Sequence, residues 1–319
     1  MKNKSFYFLM LIFGFTTVMS CSSDDDQASN TKNLTLNISG LEDLGSNYAY
    51  EGWIIVNGDP VSTGVFNVDG SGVLSQTSFE LSKSSLDAAT AYVLTIEPNP
   101  DSDPTPSKVH ILAGDFSNNS ANLSVNHASA IGTDFTAATA TYVLRAPTDD
   151  GDGATNFQAG VWWFLHEDAA TLDCCTNLPE LPEGWNYEGW AVVDGMPLST
   201  GVFADGEVGG VNRRDSYSDR DVNNNADPAL ATGFNGNVAS GPNYPGEDFI
   251  KNLPSGITTP VDLRGKKIVI TVEPDPDNAP NTPFTLKPLV HDVPADAGLE
   301  DLVMENNATA TNPTGTATR

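Results

Sequence analysis

Glu51 and Glu97 recur later in the chain as Glu188 and Glu273, in the same local contexts. Two carboxylates held near each other can divide acid and base work between them, as in glycoside hydrolysis. All four, however, lie in or at the end of apolar β-like runs, Tyr50-Glu51-Gly52-Trp53 and Thr95-Ile96-Glu97-Pro98 in the first instance. Catalytic groups concentrate on loops. The placement favours structural carboxylates that accept backbone N–H bonds, because buried polar groups are normally paired, and it leaves binding as the second use.

The other reactive side chains carry weaker patterns. Asp149, Asp150 and Asp152 cluster oxygen ligands of the kind calcium takes, as do Asp101 with Asp103 and Asp275 with Asp277. None follows the calcium-loop spacing with its distal glutamate, so no cofactor is expected and calcium stays the one candidate. Cys174 and Cys175 are adjacent, outside the C-x-x-C spacing of redox sites, and read as a vicinal disulfide or a pair of free thiols. His110, His127, His166 and His291 lack zinc-ligand spacing. Trp162, Trp163, Trp185 and Tyr187 offer flat apolar faces to a sugar, or fill a core; core packing is the favoured reading. No nucleophile elbow and no glycine-rich phosphate loop is present.

The elements that must position these groups centre on one repeated stretch. Tyr50–Phe66, YEGWIIVNGDPVSTGVF, returns as Tyr187–Phe203, YEGWAVVDGMPLSTGVF, with 12 of 17 positions identical. Each reads as two strands joined at Asn57-Gly58 or Asp194-Gly195, dipeptides that supply the positive φ angles of a tight hairpin turn. Pro60 and Pro197 follow at the start of the second strand, where a missing N–H is tolerated. Val93-Leu94-Thr95-Ile96-Glu97-Pro98 likewise recurs as Val269-Ile270-Thr271-Val272-Glu273-Pro274. The hairpins are offset by 137 residues and these strands by 176, so the second copy holds a 39-residue insertion between Phe203 and Lys266. Short apolar runs punctuated by 28 Gly and 21 Pro give an all-β chain: two tandem β-sandwich-like domains from an internal duplication.

The ends of the chain speak to location. Lys2 and Lys4, the apolar run Phe6–Phe15, and Val18-Met19-Ser20-Cys21 have the order of a secretory signal. The last four residues resemble the bacterial lipobox, which makes Cys21 the lipidated first residue of the mature chain, with palmitate among its acyl groups. Removing the signal leaves 13 basic residues against 42 acidic, a net charge of −29. Such a surplus argues against nucleic acid as a partner. Asp24-Asp25-Asp26, just after Cys21, is similar to the surface-export signal of Bacteroidota lipoproteins. The expected division is a signal peptide over 1–20, a lipidated flexible tether over 21–32, a first β-domain over 33–133, a second over 134–305 with its insertion at about 204–265, and a disordered tail over 306–319.

Tyr-Glu-x-Trp, then Gly-x-Pro-x-Ser-x-Gly-x-Phe, then a strand ending Thr-x-Glu-Pro resembles the extracytoplasmic C-terminal domain of anti-sigma-K factors, and the resemblance occurs twice between Asn33 and Val290. It implies a β-rich, sandwich-like domain with no catalytic residues among its fixed positions. The helical sigma-binding segment and membrane span expected before such a domain are not recognisable in the sequence, so the resemblance transfers a fold rather than that regulation. The sequence thus leads to a non-enzymatic outer-membrane lipoprotein, exposed at the cell surface and held by its lipid, acting as an interaction or structural module for an envelope protein or glycan. The alternative is a glycan- or calcium-binding surface lipoprotein.

Overall fold

The computed structural model describes residues 30–146, 155–163, 176–203, 246–249 and 253–319. Its described residues are nearly all strand and turn, and every strand pairing is antiparallel. The first part of the chain forms β1 (Thr31–Ser39), β2 (Tyr48–Val56), β3 (Asp59–Phe66), β4 (Ser78–Ser82), a short helix α1 (Lys83–Ala88), β5 (Ala89–Pro98), β6 (His110–Ser117) and β7 (Ser120–Ser124). Further along lie β8 (Thr139–Leu144), β9 (Gly160–Trp162), β10 (Thr176–Asn177), β11 (Trp185–Val193), β12 (Met196–Phe203) and β13 (Gly246–Asp248). The chain continues through β14 (Lys267–Pro274), β15 (Leu289–Asp292), β16 (Leu302–Val303), β17 (Glu305–Asn306), a helical turn α2 (Ala308–Thr311) and β18 (Thr314–Thr318).

Two of the three sheets share a pattern. An eight-stranded sheet runs β3-β2-β5-β6-β7-β18-β1-β4, and a five-stranded one runs β12-β11-β14-β15-β17. In both, the repeated hairpin stands at one end and pairs through its first strand with the strand ending Thr-x-Glu-Pro. The turns form as the dipeptides require: φ is +55° and +93° at Asn57 and Gly58, and +52° and +83° at Asp194 and Gly195. Each hairpin also carries a bulge after its first glycine, between Gly52 and Trp53 and between Gly189 and Trp190. The bulge turns Thr63 or Thr200 inward over that glycine, where a Cβ would collide with the threonine hydroxyl. A third sheet, β10-β8-β9-β13 with β16 beside β8, packs on the second hairpin.

Alternation decides what β1 buries: Leu34, Leu36 and Ile38 point inward and their neighbours outward. Both faces of β5 are covered. Tyr92, Leu94 and Ile96 enter the main core, while Val93 joins Trp53, Ala113 and Ala130 in a small cluster on the opposite face. The outer strands β3 and β4 approach each other at Phe66 and Phe79, whose ring centroids are 6.1 Å apart, so the long sheet curls around its contents. One continuous core includes residues from both copies, and Phe135 meets the edge of Tyr187 at 6.4 Å.

Several expectations are corrected. Residues 306–319 are not a disordered tail: β18 lies between β7 and β1, paired to each over its five residues. Its sequence Thr-Gly-Thr-Ala-Thr buries only Ala317 fully, so the backbone ladders on both sides, rather than an apolar pattern, hold it. Thr31 and Lys32, expected in the tether, pair with Ser82 and Leu81. The stretch before β4 is held as a loop, because Asp69 Oδ1 accepts from the Ser71 and Val73 amides. The unexpected α1 starts at Ser82, whose hydroxyl accepts from the Ser85 amide.

Candidate functional site

The paired carboxylates sit on one face of each hairpin sheet, with a shared set of partners. In the first copy Glu51 stands opposite Thr95 and Ala49 opposite Glu97, which places the two glutamates on a cross-strand diagonal of one face. Glu188 stands opposite Thr271 and Asn186 opposite Glu273, the same diagonal. The Ser62 hydroxyl donates to Glu51 Oε1 and the Ser199 hydroxyl to Glu188 Oε1. Those serine oxygens accept from the Gly64 and Gly201 amides at 3.2 and 3.0 Å. The threonine between the glutamates receives the tryptophan indole N–H, Trp53 to Thr95 at 2.9 Å and Trp190 to Thr271 at 2.8 Å. Its own hydroxyl donates to the Glu51 or Glu188 carbonyl, 3.3 Å in both cases.

Both copies therefore spend Glu, Ser, Thr and Trp on one internal network. Glu51 and Glu188 take hydroxyl protons, where the sequence led us to expect backbone amides, because Ser62 and Ser199, opposite Trp53 and Trp190, stand diagonally across the ladder from them. Glu97 and Glu273 do take amides: Ser107 N–H reaches both oxygens of Glu97, at 2.9 and 3.1 Å, and Phe284 N–H reaches Glu273 Oε1 at 2.8 Å. The equivalence ends at Glu273 Oε2, which is buried without a hydrogen-bond partner among the described residues. The Thr271 hydroxyl interacts with this carboxyl but is aimed at the Glu188 carbonyl, 3.3 Å away. Burial pushes the Glu97 carboxyl above its ordinary range and the Glu273 carboxyl up to about 8.

The two copies differ in what covers the bulge glycine. In the first, the Tyr92 hydroxyl lies over Gly52. In the second, Ile268 and Ala191 replace Tyr92 and Ile54, and Trp163 from the third sheet enters instead, its indole 3.3 Å from Thr200 Oγ1. Trp162, Trp185 and Tyr187 are buried as well, so all four aromatics weighed as a sugar platform are core residues.

Sequence reasoning missed the junction between the copies. Glu42 occupies the position filled by Pro179 in the second copy; both backbone carbonyls accept from the first hairpin tyrosine, Tyr50 at 3.0 Å and Tyr187 at 2.7 Å. The Glu42 side chain crosses to the other copy. Its Oε2 accepts from the Thr285 amide at 2.7 Å and its Oε1 from Asn278 Nδ2 at 3.4 Å, while Thr285 Oγ1 donates to the Gly40 carbonyl at 3.3 Å. The second copy answers with its corresponding loop: Glu183 meets Lys108 at 3.0 Å, and the Trp185 indole donates to the His110 carbonyl at 3.3 Å. Lys287 completes the first contact, its ammonium donating to the Phe284 and Pro283 carbonyls at 2.6 and 3.4 Å. Burial raises Glu42 to about 7, raises Asp277 and lowers Lys287. The only sequence signal was that Leu41 and Leu44 enclose Glu42 and Asp43, whereas Leu178 and Leu181 enclose Pro179 and Glu180.

The remaining candidates do not converge. Asp101 and Asp103 fold into successive side-chain turns, accepting from the Asp103 and Thr105 amides, and Asp277 accepts from the Ala279 amide. Asp275 precedes Asp277 at the end of β14. Among the described residues no three His, Cys, Asp or Glu side chains are placed to hold a metal ion. His110 and His291 are separately engaged, by the Ser129 carbonyl at 3.0 Å and the Tyr142 hydroxyl at 2.8 Å. Cys21, Asp149, Asp150, Asp152, Cys174 and Cys175 lie outside the described residues.

Residues 24–109 match the family model of the anti-sigma-K factor rskA, C-terminal. The match takes in β1 through β5 and stops just before β6, leaving the second YEGW segment outside it. No curated protein and no solved structure matches the chain.

Proposed function

We propose that this chain is a non-enzymatic, lipid-anchored module of the outer membrane, built from two copies of one β-unit and exposed at the cell surface, where it engages or braces another envelope component. The first copy carries the likeness to the anti-sigma-K C-terminal domain, and that extracytoplasmic setting agrees with the secretory signal and the lipobox ending at Cys21. No helix among the described residues is long and apolar enough to cross a membrane.

One observation carries the non-enzymatic reading. The carboxylates that recur in both copies are spent on the same internal partners in each, Glu51 with Ser62 and Glu188 with Ser199, Glu97 with Ser107 and Glu273 with Phe284. A recurrence that preserves the partners of a group as well as its type is accounted for by the architecture those partners build. Metabolic labelling with palmitate, followed by protease treatment of intact cells, tests the placement. Label on the wild-type chain that is lost in Cys21→Ala, with the body digested from outside, is the expected result. Label that persists in Cys21→Ala, or a body shielded from protease in intact cells but cut after lysis, overturns it.

A further inference from the structure

We propose that the junction between the two copies is a proton-linked latch: the Glu42–Thr285 clasp beside Glu273 and Lys287 holds tightest at mildly acidic pH and loosens as the pH rises through neutrality. This goes beyond the anchoring role, since it concerns how the two halves hold each other. The Glu42 side chain reaches two donors across the junction, the Thr285 amide and Asn278. The segment it reaches runs from the end of β14 through Phe284 to Lys287, and the same segment holds Glu273 through the Phe284 amide.

The charges gathered there do not balance. Glu42, Glu273 and Asp277 bring three carboxyls, and Lys287 brings the one ammonium whose attraction reaches Glu42 and Glu273. Asp275 adds to the acid side next to Asp277, and on the first copy Tyr50 and Asp43 flank Glu42. Glu273 Oε2 is buried without a hydrogen-bond partner among the described residues. An ionised carboxylate in that position keeps its full desolvation cost, whereas the neutral acid does not. Lys287 is itself desolvated and turned toward the Phe284 and Pro283 carbonyls. Protonated, Glu42 still accepts from Thr285 and Glu273 still accepts from Phe284, so the clasp survives while the repulsion is gone.

The sign follows from linkage. Both glutamates hold protons in the folded chain up to about 7 and about 8, whereas the unfolded chain releases them in the ordinary carboxyl range. The folded junction therefore loses stability as pH rises through that window and levels off above it. Lys287 acts in the opposite sense nearer its own range, since its lowered value favours the neutral amine in the folded chain.

The test is amide hydrogen exchange on the full chain at pH 5.5 and pH 8.5, with rates corrected for intrinsic base catalysis. Protection over residues 40–44 and 276–287 should fall about tenfold at the higher pH while the β5 and β14 ladders change little. The double variant Glu42→Gln, Glu273→Gln should show no such fall. Equal protection at both pH values in the wild type, or an equal fall in the variant, overturns the latch. Should the variant not fold, carboxyl-selective NMR titration of the wild type decides: midpoints for Glu42 and Glu273 displaced well above those of exposed glutamates support the latch, and ordinary midpoints overturn it.

Discussion

The indole of Trp190 donates to Thr271 Oγ1 at 2.8 Å, and Thr271 passes its own proton to the Glu188 carbonyl. Trp190 is 1% exposed and Thr271 fully buried, so the indole has nowhere else to turn. Thr271→Val keeps the shape and removes the acceptor. Leaving a buried donor unpaired costs about 1–3 kcal/mol. Urea denaturation of Thr271→Val should show a loss in that range, with Thr95→Val losing a similar amount through Trp53. Equal stability of variant and wild type would show that the network is incidental.

Ser199 and Ser62 separate the two copies. Both hydroxyls donate to a glutamate, but Ser199 is 5% exposed while Ser62 stands open to solvent. Removing the donor from Glu188 should therefore cost more than removing it from Glu51, because water can replace Ser62. Ser199→Ala is expected to destabilise by about 1.5–3 kcal/mol, in the range for bonds to charged groups, and Ser62→Ala by clearly less. Matched denaturation curves measure the difference, and the reverse order would contradict the burial argument.

Gly52 and Gly189 sit under a threonine and an aromatic side chain that leave no room for a Cβ. Gly52→Ala drives the new methyl against Thr63 and the Tyr92 hydroxyl; Gly189→Ala drives it against Thr200 and the Trp163 ring. Overpacking of this kind costs typically about 1–3 kcal/mol. Calorimetry should register a lowered Tm for both. A neutral Gly189→Ala would mean that Trp163 withdraws without penalty.

Thr316 faces Asn37 on one side and Asn122 on the other. A proline there removes an N–H from a strand with neighbours on both edges, a substitution that sheet interiors do not accommodate. Thr316→Pro should cost at least about 3 kcal/mol, judged by the penalty of proline inside a regular hydrogen-bonded element. Soluble yield and circular dichroism would report it, and an unaltered Tm would show that β18 contributes little.

Local chemistry made part of this architecture readable. The Asn57-Gly58 and Asp194-Gly195 turns, the prolines beside them and the β-branched runs all declare themselves within a few residues, and the hairpins lie where those signals put them. Side-chain pattern gave no such help for β18, which is small, polar and mostly held through its backbone. Glu42 was opaque for another reason: its partner is 243 residues away, and nothing near Leu41 or Leu44 encodes Thr285. The Glu–Ser–Thr–Trp network was half visible, since the residues recur but the bulge that aligns Ser62 with Glu51 follows from packing over Gly52.

Because Thr314–Thr318 separates β1 from β7, the eight-stranded sheet cannot be completed during synthesis until nearly every other element has emerged. Until then Leu34, Leu36 and Ile38 have no lasting neighbour on that side, and two strand edges invite association with other chains. Closure of the sheet therefore has to wait for Thr314–Thr318, and the two open edges stay exposed to such association until that strand is made.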